Sequence, residues 1–173
     1  MPHSYTDTAS PWVERWAPLI APGGRVLDVA SGAGRHARWL AARGYRVDAL
    51  DRDAEALATL SDVPGVTLRC ADIEGGPWPC ERGVYAGVVV TNYLHRPLFA
   101  ELFAALAPAG ILIYETFAAG NERYGRPSNP DYLLQAGELL DVVRGRLRVL
   151  AFEDLEIQHP RPAMVQRICA RLE

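Results

Sequence analysis

The stretch "VLDVASGAGRH", residues 26–36, decides how the chain is read. Four apolar residues surround a carboxylate, Asp28, and lead into two closely spaced glycines, Gly32 and Gly34. The pattern predicts a buried strand running through a tight turn into a helix. Gly32-Ala33-Gly34-Arg35-His36-Ala37 satisfies G-x-G-x-x-A, and Asp51 follows Gly32 by 19 residues, at the end of the next predicted strand. A glycine turn of this shape serves dinucleotide phosphates, with the later acid on ribose hydroxyls. It serves a positively charged ligand equally well. Asp28 separates the two. A carboxylate under the turn repels a pyrophosphate by roughly 4 kcal/mol for charges about 4 Å apart at an effective dielectric near 20, and attracts an ammonium or a sulfonium by as much.

Outward from this stretch, apolar strands alternate with helical stripes. Ser10-Pro11 reads as an N-cap and first helical residue, with Trp12, Val13, Trp16, Leu19 and Ile20 on one stripe. "RHARWLAAR" is a helix closed by Gly44, "YRVDALD" a strand, 53–60 a helix, and "VTLRCAD" a third strand. Residues 74–83, rich in Gly and Pro, predict a loop. "VYAGVVVTN" is a buried strand, and "PLFAELFAALA" a helix ended by Pro108 and Gly110. "ILIYETF" is a fifth strand; a polar loop spans 118–130, and a short helix lies near 136–144. "LRVLAFEDLEIQ" and "AMVQRICARL" form an antiparallel hairpin. In its second arm Met164, Gln166, Ile168, Ala170 and Leu172 share a face. The fold expected is α/β: a Rossmann-like, doubly wound, mainly parallel sheet of about seven strands with a C-terminal antiparallel hairpin. Ligands in such sheets sit at the carboxyl ends of the strands, where strand order reverses.

The length, 173 residues, favours a single domain over 1–173. Within it, 1–22 is an N-terminal lid and helix, 118–145 a substrate-side loop and helix, and 146–173 the terminal hairpin. No apolar run is long enough to span a membrane, and no signal peptide is visible. Three widely spaced cysteines, Cys70, Cys80 and Cys169, suit a reducing, cytoplasmic setting and are expected to be small buried residues. All 18 basic residues are arginine. The absence of lysine removes P-loop, Schiff-base and pyridoxal phosphate chemistry, and it is consistent with a G/C-rich bacterial genome. The slight negative charge and lack of a basic block argue against nucleic acid as a partner. His3, His36, His95 and His159 have no ligand spacing, so no metal site is expected.

"VLDVASGAG", "VDALDRD" and "CADIE", in this order and at these spacings, resemble the cofactor motifs of class I S-adenosylmethionine-dependent methyltransferases. Residues 30–53 are most similar to small bacterial methyltransferases of the tellurite-resistance type. The resemblance implies methyl transfer from S-adenosyl-L-methionine to a small-molecule acceptor. It places Asp28 and the Ala30, Ser31, Gly32 and Gly34 backbone against the methionine part of the cofactor. Asp51 takes the ribose hydroxyls with Arg52 beside the adenine; Asp72 accepts from the adenine amino group, and Ile73 packs on the ring. Ala30 stands where the commonest pattern has glycine, which is tolerated if its φ stays negative. Asn92, Tyr93 and His95 lie at the pocket's rim, Asn92 on the cofactor and Tyr93 toward the substrate, with His95 a candidate general base. Glu115 and Tyr124 are further candidate catalytic groups, and Asn121, Arg123 and Arg126 candidate substrate contacts. Residues 1–9, with His3 and Tyr5, are expected to close over the site. Two other readings stay open: an NAD(P)-dependent oxidoreductase, and a non-catalytic S-adenosylmethionine-binding module of the same fold. The acceptor and the oligomeric state are not legible.

Overall fold

A computed structural model describes residues 8–173. The expected contribution of His3 and Tyr5 lies outside these residues. The elements are α1 (Pro11–Trp16), β1 (Arg25–Val29), α2 (Arg35–Ala41), β2 (Arg46–Asp51), α3 (Ala54–Ala58), β3 (Val66–Cys70), β4 (Tyr85–Thr91), α4 (Phe99–Ala105), β5 (Leu106–Phe117), α5 (Glu138–Val143), β6 (Arg148–Ile157) and β7 (Ala163–Arg171). The seven strands form one sheet in the order β3-β2-β1-β4-β5-β7-β6. All pairs are parallel except those of β7, which runs antiparallel to both β5 and β6. Strand order reverses between β1 and β4, so both carboxyl ends flank one crevice.

Both faces of the central strands are apolar because both are covered. On one face Leu27, Leu50, Val88, Val90, Leu112 and Tyr114 pack beneath α4 and α5. On the other, Val26, Val47, Ala49, Val89, Ile111 and Ile113 pack beneath α1 and α2 with Leu57 and Leu60. Ser10 caps α1 as expected, its hydroxyl accepting from Trp12 N–H at 3.2 Å. Among the described residues no helix is long and apolar enough to cross a membrane.

Three local expectations are corrected. Leu19 is 48% exposed, because α1 stops at Trp16 and a 3-10 turn with Pro18 rotates it off the buried stripe. Pro108 and Gly110 do not follow α4 in a loop. They lie inside β5, whose start at Leu106 pairs Tyr85 across a register shift that absorbs them. Cys70 is exposed at the end of edge strand β3, while Cys80 and Cys169 are buried.

The connection from β3 to β4 contains no helix. Cys80 packs in the core with Ile73, Trp78 and Val84 against it, and a buried charge cluster adds to this fastening. Buried Asp48, in mid-β2, accepts through Oδ2 from Tyr85 Oη at 2.6 Å, Arg25 Nη2 at 2.8 Å and Arg69 Nε at 2.9 Å. Arg25 also pairs with Glu81 of the connection, at 3.2 Å. The Tyr85 hydrogen bond, with these cations, outweighs the burial of Asp48 and holds its carboxyl below the usual range.

Candidate functional site

The turn after β1 is built by three left-handed residues: Ala30 (φ 53°), Gly32 (φ 55°) and Gly34 (φ 81°). The expectation that Ala30 keeps a negative φ is therefore wrong. Past the strand end the chain must turn back so that Ser31 N–H reaches Leu50 O at 3.0 Å, and alanine takes the strained conformation to do it. The two glycines serve different ends. A Cβ on Gly34 would stand 2.4 Å from Leu60 Cδ1, so this glycine lets the turn pack on the end of α3. A Cβ on Gly32 would meet nothing within 4 Å, so its bare backbone borders open space. Gly32 N–H donates to Asp51 Oδ2 at 2.8 Å, which ties the turn to β2.

Asp28 lies beneath this turn, 1% exposed. Ala37 N–H of α2 donates to the carboxylate. Oδ2, like the hydroxyl of Ser31, is buried without a hydrogen-bond partner among the described residues. Burial pushes the Asp28 carboxyl up to about 7, against the opposing pull of the Ala37 bond and the Arg35 charge. The floor is thus a carboxyl held reluctantly as an anion, and an adjacent cation would complete it.

Beside the turn opens a cleft of ≈ 200 Å³, lined by Ala30, Asp51, Arg52, Ala71, Asp72, Ile73, Glu74 and Tyr93. Five of these were singled out from the sequence as cofactor contacts. Asp51 Oδ1 accepts from Asp53 N–H at 2.9 Å, and Asp53 in turn caps α3. Asp72 Oδ1 accepts from Glu74 and Gly75 N–H, and these bonds hold its carboxyl below the usual range. Ala71 and Glu74 were not anticipated, although both lie in or beside the quoted "CADIE" motif. Tyr93, expected to face substrate, lines this cleft and donates to Glu74 Oε1 at 2.8 Å. Tyr114 Oη fixes Tyr93 by donating to its carbonyl at 2.6 Å. Asn92 is exposed with φ 53°, and the cleft's lining does not include it; its N–H donates to Glu115 O at 2.9 Å.

On the other side of the turn, at the ends of β4 and β5, lies a polar group centred on His36, which the sequence reading passed over. His36 is 2% exposed. Its Nε2 accepts from Ser10 N–H at 3.0 Å, and Nδ1 lies 3.3 Å from Thr91 Oγ1. Ser10 Oγ donates to Glu115 Oε1 at 2.6 Å, and Arg167 pairs with Glu115 Oε2 at 2.9 Å. Arg167 also pairs with Glu153 and stacks on the Trp12 ring. Burial, with Arg35 nearby, lowers His36 to about 3, so the ring is neutral. Both oxygens of Glu115 are therefore engaged. His95 is half-buried just ahead of the Arg96–Leu98 turn and makes no side-chain cap to it.

The 118–130 loop gathers over β6 and β7 rather than over the cleft. Buried Asn121 donates to Pro127 O at 2.9 Å and accepts from Met164 N–H at 3.1 Å, stapling the loop to β7. Tyr124 donates to Glu156 Oε2 of β6 at 2.5 Å. Exposed Arg123 donates to Gly120 O at 3.1 Å, and Arg126 O accepts from Arg161. Among the described residues no group of three or more His, Cys, Asp or Glu is placed to hold a metal ion.

A methyltransferase-domain family profile matches residues 26–110, which span the turn, the cleft and β4. The structure resembles TehB from Haemophilus influenzae, with a TM-score of 0.79 and 17% identity over 99% of this chain. The chain spans 64% of the length of that protein. A SAM-dependent methyltransferase from Methanosarcina mazei gives a TM-score of 0.72 at 17% identity, covering 96% of this chain and 100% of its own. Geranyl diphosphate C-methyltransferase from Streptomyces coelicolor A3(2), solved with Mg2+, geranyl diphosphate and S-adenosyl-L-homocysteine, gives 0.68 at 17% identity, covering 93% and 79%. No protein of curated function matches the sequence. The methyltransferase-domain match thus spans the glycine turn, the cleft and β4, and over nearly its whole length the chain shares the fold of these S-adenosylmethionine-dependent methyltransferases.

Proposed function

We propose that the chain transfers the methyl group of S-adenosylmethionine to a small-molecule acceptor, working as one domain over 1–173. The observation that carries this is the orphaned, buried oxygen of Asp28 beneath a glycine whose missing side chain leaves the turn open. Such a floor suits an ammonium and a sulfonium and is ill suited to a pyrophosphate. The remaining residues fit the same group. A carboxylate offers about four lone-pair sites. Asp51 uses two of them internally and keeps two for a vicinal diol. Asp72 and Ile73 supply an acceptor and an apolar face for the base, with Arg52 alongside.

When bound, the sulfonium supplies an activated methyl group. The chain's own task is to orient it and to exclude water, and alignment alone contributes roughly 7–11 kcal/mol to such a displacement. His95 is the residue we assign to proton removal, should the acceptor carry a proton. Glu115 we assign to holding Ser10, because both its oxygens are engaged. Asn121 and Tyr124 we assign to anchoring the 118–130 loop, which leaves Arg123 and Arg126 as the loop's cationic contacts. The choice of a small acceptor is supported by the Streptomyces coelicolor neighbour, solved with geranyl diphosphate. Asp51→Ala tests the site: S-adenosylmethionine affinity, measured by calorimetry, is expected to fall at least tenfold. Unchanged affinity would mean that Asp51 does not hold the ribose.

A further inference from the structure

His36 joins three parts of the molecule that are far apart in sequence. It is the second residue of α2, the helix that begins directly after Gly34. Ser10 N–H has only a proton to give, so Nε2 must carry a lone pair, and the proton of the neutral ring resides on Nδ1. Nδ1–H then donates to Thr91 Oγ1 at the end of β4. The neighbouring residue of α2 takes hold of the same segment: Arg35 Nη1 donates to Thr8 O at 3.1 Å. Ser10 in turn reaches Glu115 at the end of β5. Thr8–Ser10 is therefore a strap laid across the first turn of α2, its residues Ala9 and Ser10 buried.

The position of the strap gives it meaning. The cleft that suits adenosine lies toward β2 and β3, and the orphaned Asp28 lies at β1. A cofactor spread across these strand ends points its reacting methyl toward β4 and β5, where the strap is pinned. The link between the two sides is covalent and short. Ala37, which donates to Asp28, follows His36 in the same helical turn. A cation beside Asp28 keeps that carboxylate charged, strengthens the Ala37 bond, and orders the turn from which Arg35 and His36 reach out.

We propose that His36 is a positioning residue that seats the strap Thr8–Ser10 as the acceptor-side wall of the site, so that cofactor binding over Asp28 firms the wall through the first turn of α2. This rests on the methyltransferase reading above. Amide hydrogen exchange of the full chain, with and without S-adenosylhomocysteine, tests it in wild type, His36→Gln and His36→Asn. The Gln amide oxygen reaches the position of Nε2 and preserves the Ser10 bond, whereas the shorter Asn mimics only Nδ1. The expected result is at least tenfold slower exchange at the Ser10 amide on ligand binding in wild type, mostly kept in His36→Gln and lost in His36→Asn, with ligand affinity within about threefold throughout. A Ser10 amide that ignores the bound ligand in wild type overturns the proposal alone. So does affinity that falls in step with protection, which would make His36 part of the cofactor site. Failure of wild type to bind S-adenosylhomocysteine at all defeats the methyltransferase reading and the proposal together.

Discussion

Asp28 is a single carboxyl whose surroundings hold it near neutrality until something positive arrives. Its ordinary value is 3.8, and burial lifts it to about 7. The unfolded chain thus gives up this proton at lower pH than the folded one. Below the unfolded value both states keep the proton and nothing is lost. As pH rises toward and through about 7, the ligand-free fold loses stability on the order of 4 kcal/mol. Denaturant titrations of the ligand-free chain at about pH 5 and pH 8 should show about 2.7 kcal/mol of this decline, the rest falling below pH 5, and Asp28→Asn, which keeps an acceptor for Ala37 N–H, should remove it. A bound ammonium reverses the shift. S-adenosylhomocysteine uptake at about pH 6 should therefore release a proton, detected as calorimetric heat that varies with buffer, and the Asn variant should release none. Asp28, Asp51 and Asp72 were legible in the sequence because a charge at a strand end and its spacing from a glycine are local features. His36 and Ser10 were not. Their partners lie 26 to 105 residues away, and only packing brings them together.

At the scale of elements, the turn between β1 and α2 separates two kinds of glycine. Gly34→Ala drives a Cβ into Leu60 and imposes a left-handed φ, so a loss of about 2–3 kcal/mol is expected from strain and overpacking together. Gly32→Ala carries the backbone strain alone, about 1–2 kcal/mol. Its new methyl stands in the open side of the turn, so its larger effect should fall on S-adenosylmethionine affinity. Denaturation midpoints and calorimetry on the two variants distinguish the roles, and equal behaviour in both assays would refute the division. Period and turn chemistry were enough to place the strands and α-helices to within about two residues, apart from the end of α1 and the start of β5. They failed where neighbours overrule local preference. The Pro108–Gly110 stretch reads as a stop, yet the register shift opposite Tyr85 lets it serve as strand. Leu19 fits the helical stripe, yet the helix has already tightened before it.

For the molecule as a whole, alternating elements implied a parallel sheet and the last two segments a hairpin. The lateral order of the strands is a property of the folded sheet and carries no local signature. That order makes ligand binding a global matter, because the crevice is shared by strands from both halves of the sheet. At about a hundredfold excess over its dissociation constant, S-adenosylhomocysteine should stabilise the fold by about 2.7 kcal/mol. For a chain of this size that is a rise of roughly 5–10 °C in Tm. NADH at the same concentration should give no rise, and a shift from NADH alone would favour the oxidoreductase reading. One feature of the architecture also sets how the protein meets its surroundings. The stretch that begins as a wall of the cleft at Ala71–Glu74 is held at its far end by Arg25, Asp48, Arg69 and Glu81 as well as by the packed Trp78 and Cys80. Both arginines and Glu81 are within reach of dissolved ions, which screen such pairs over about 8–10 Å at ordinary ionic strength. Brine should slacken the exposed Arg25–Glu81 pair while the bonds to buried Asp48 and the greasy interior hold, so the outer wall of the cleft should loosen before the sheet feels anything.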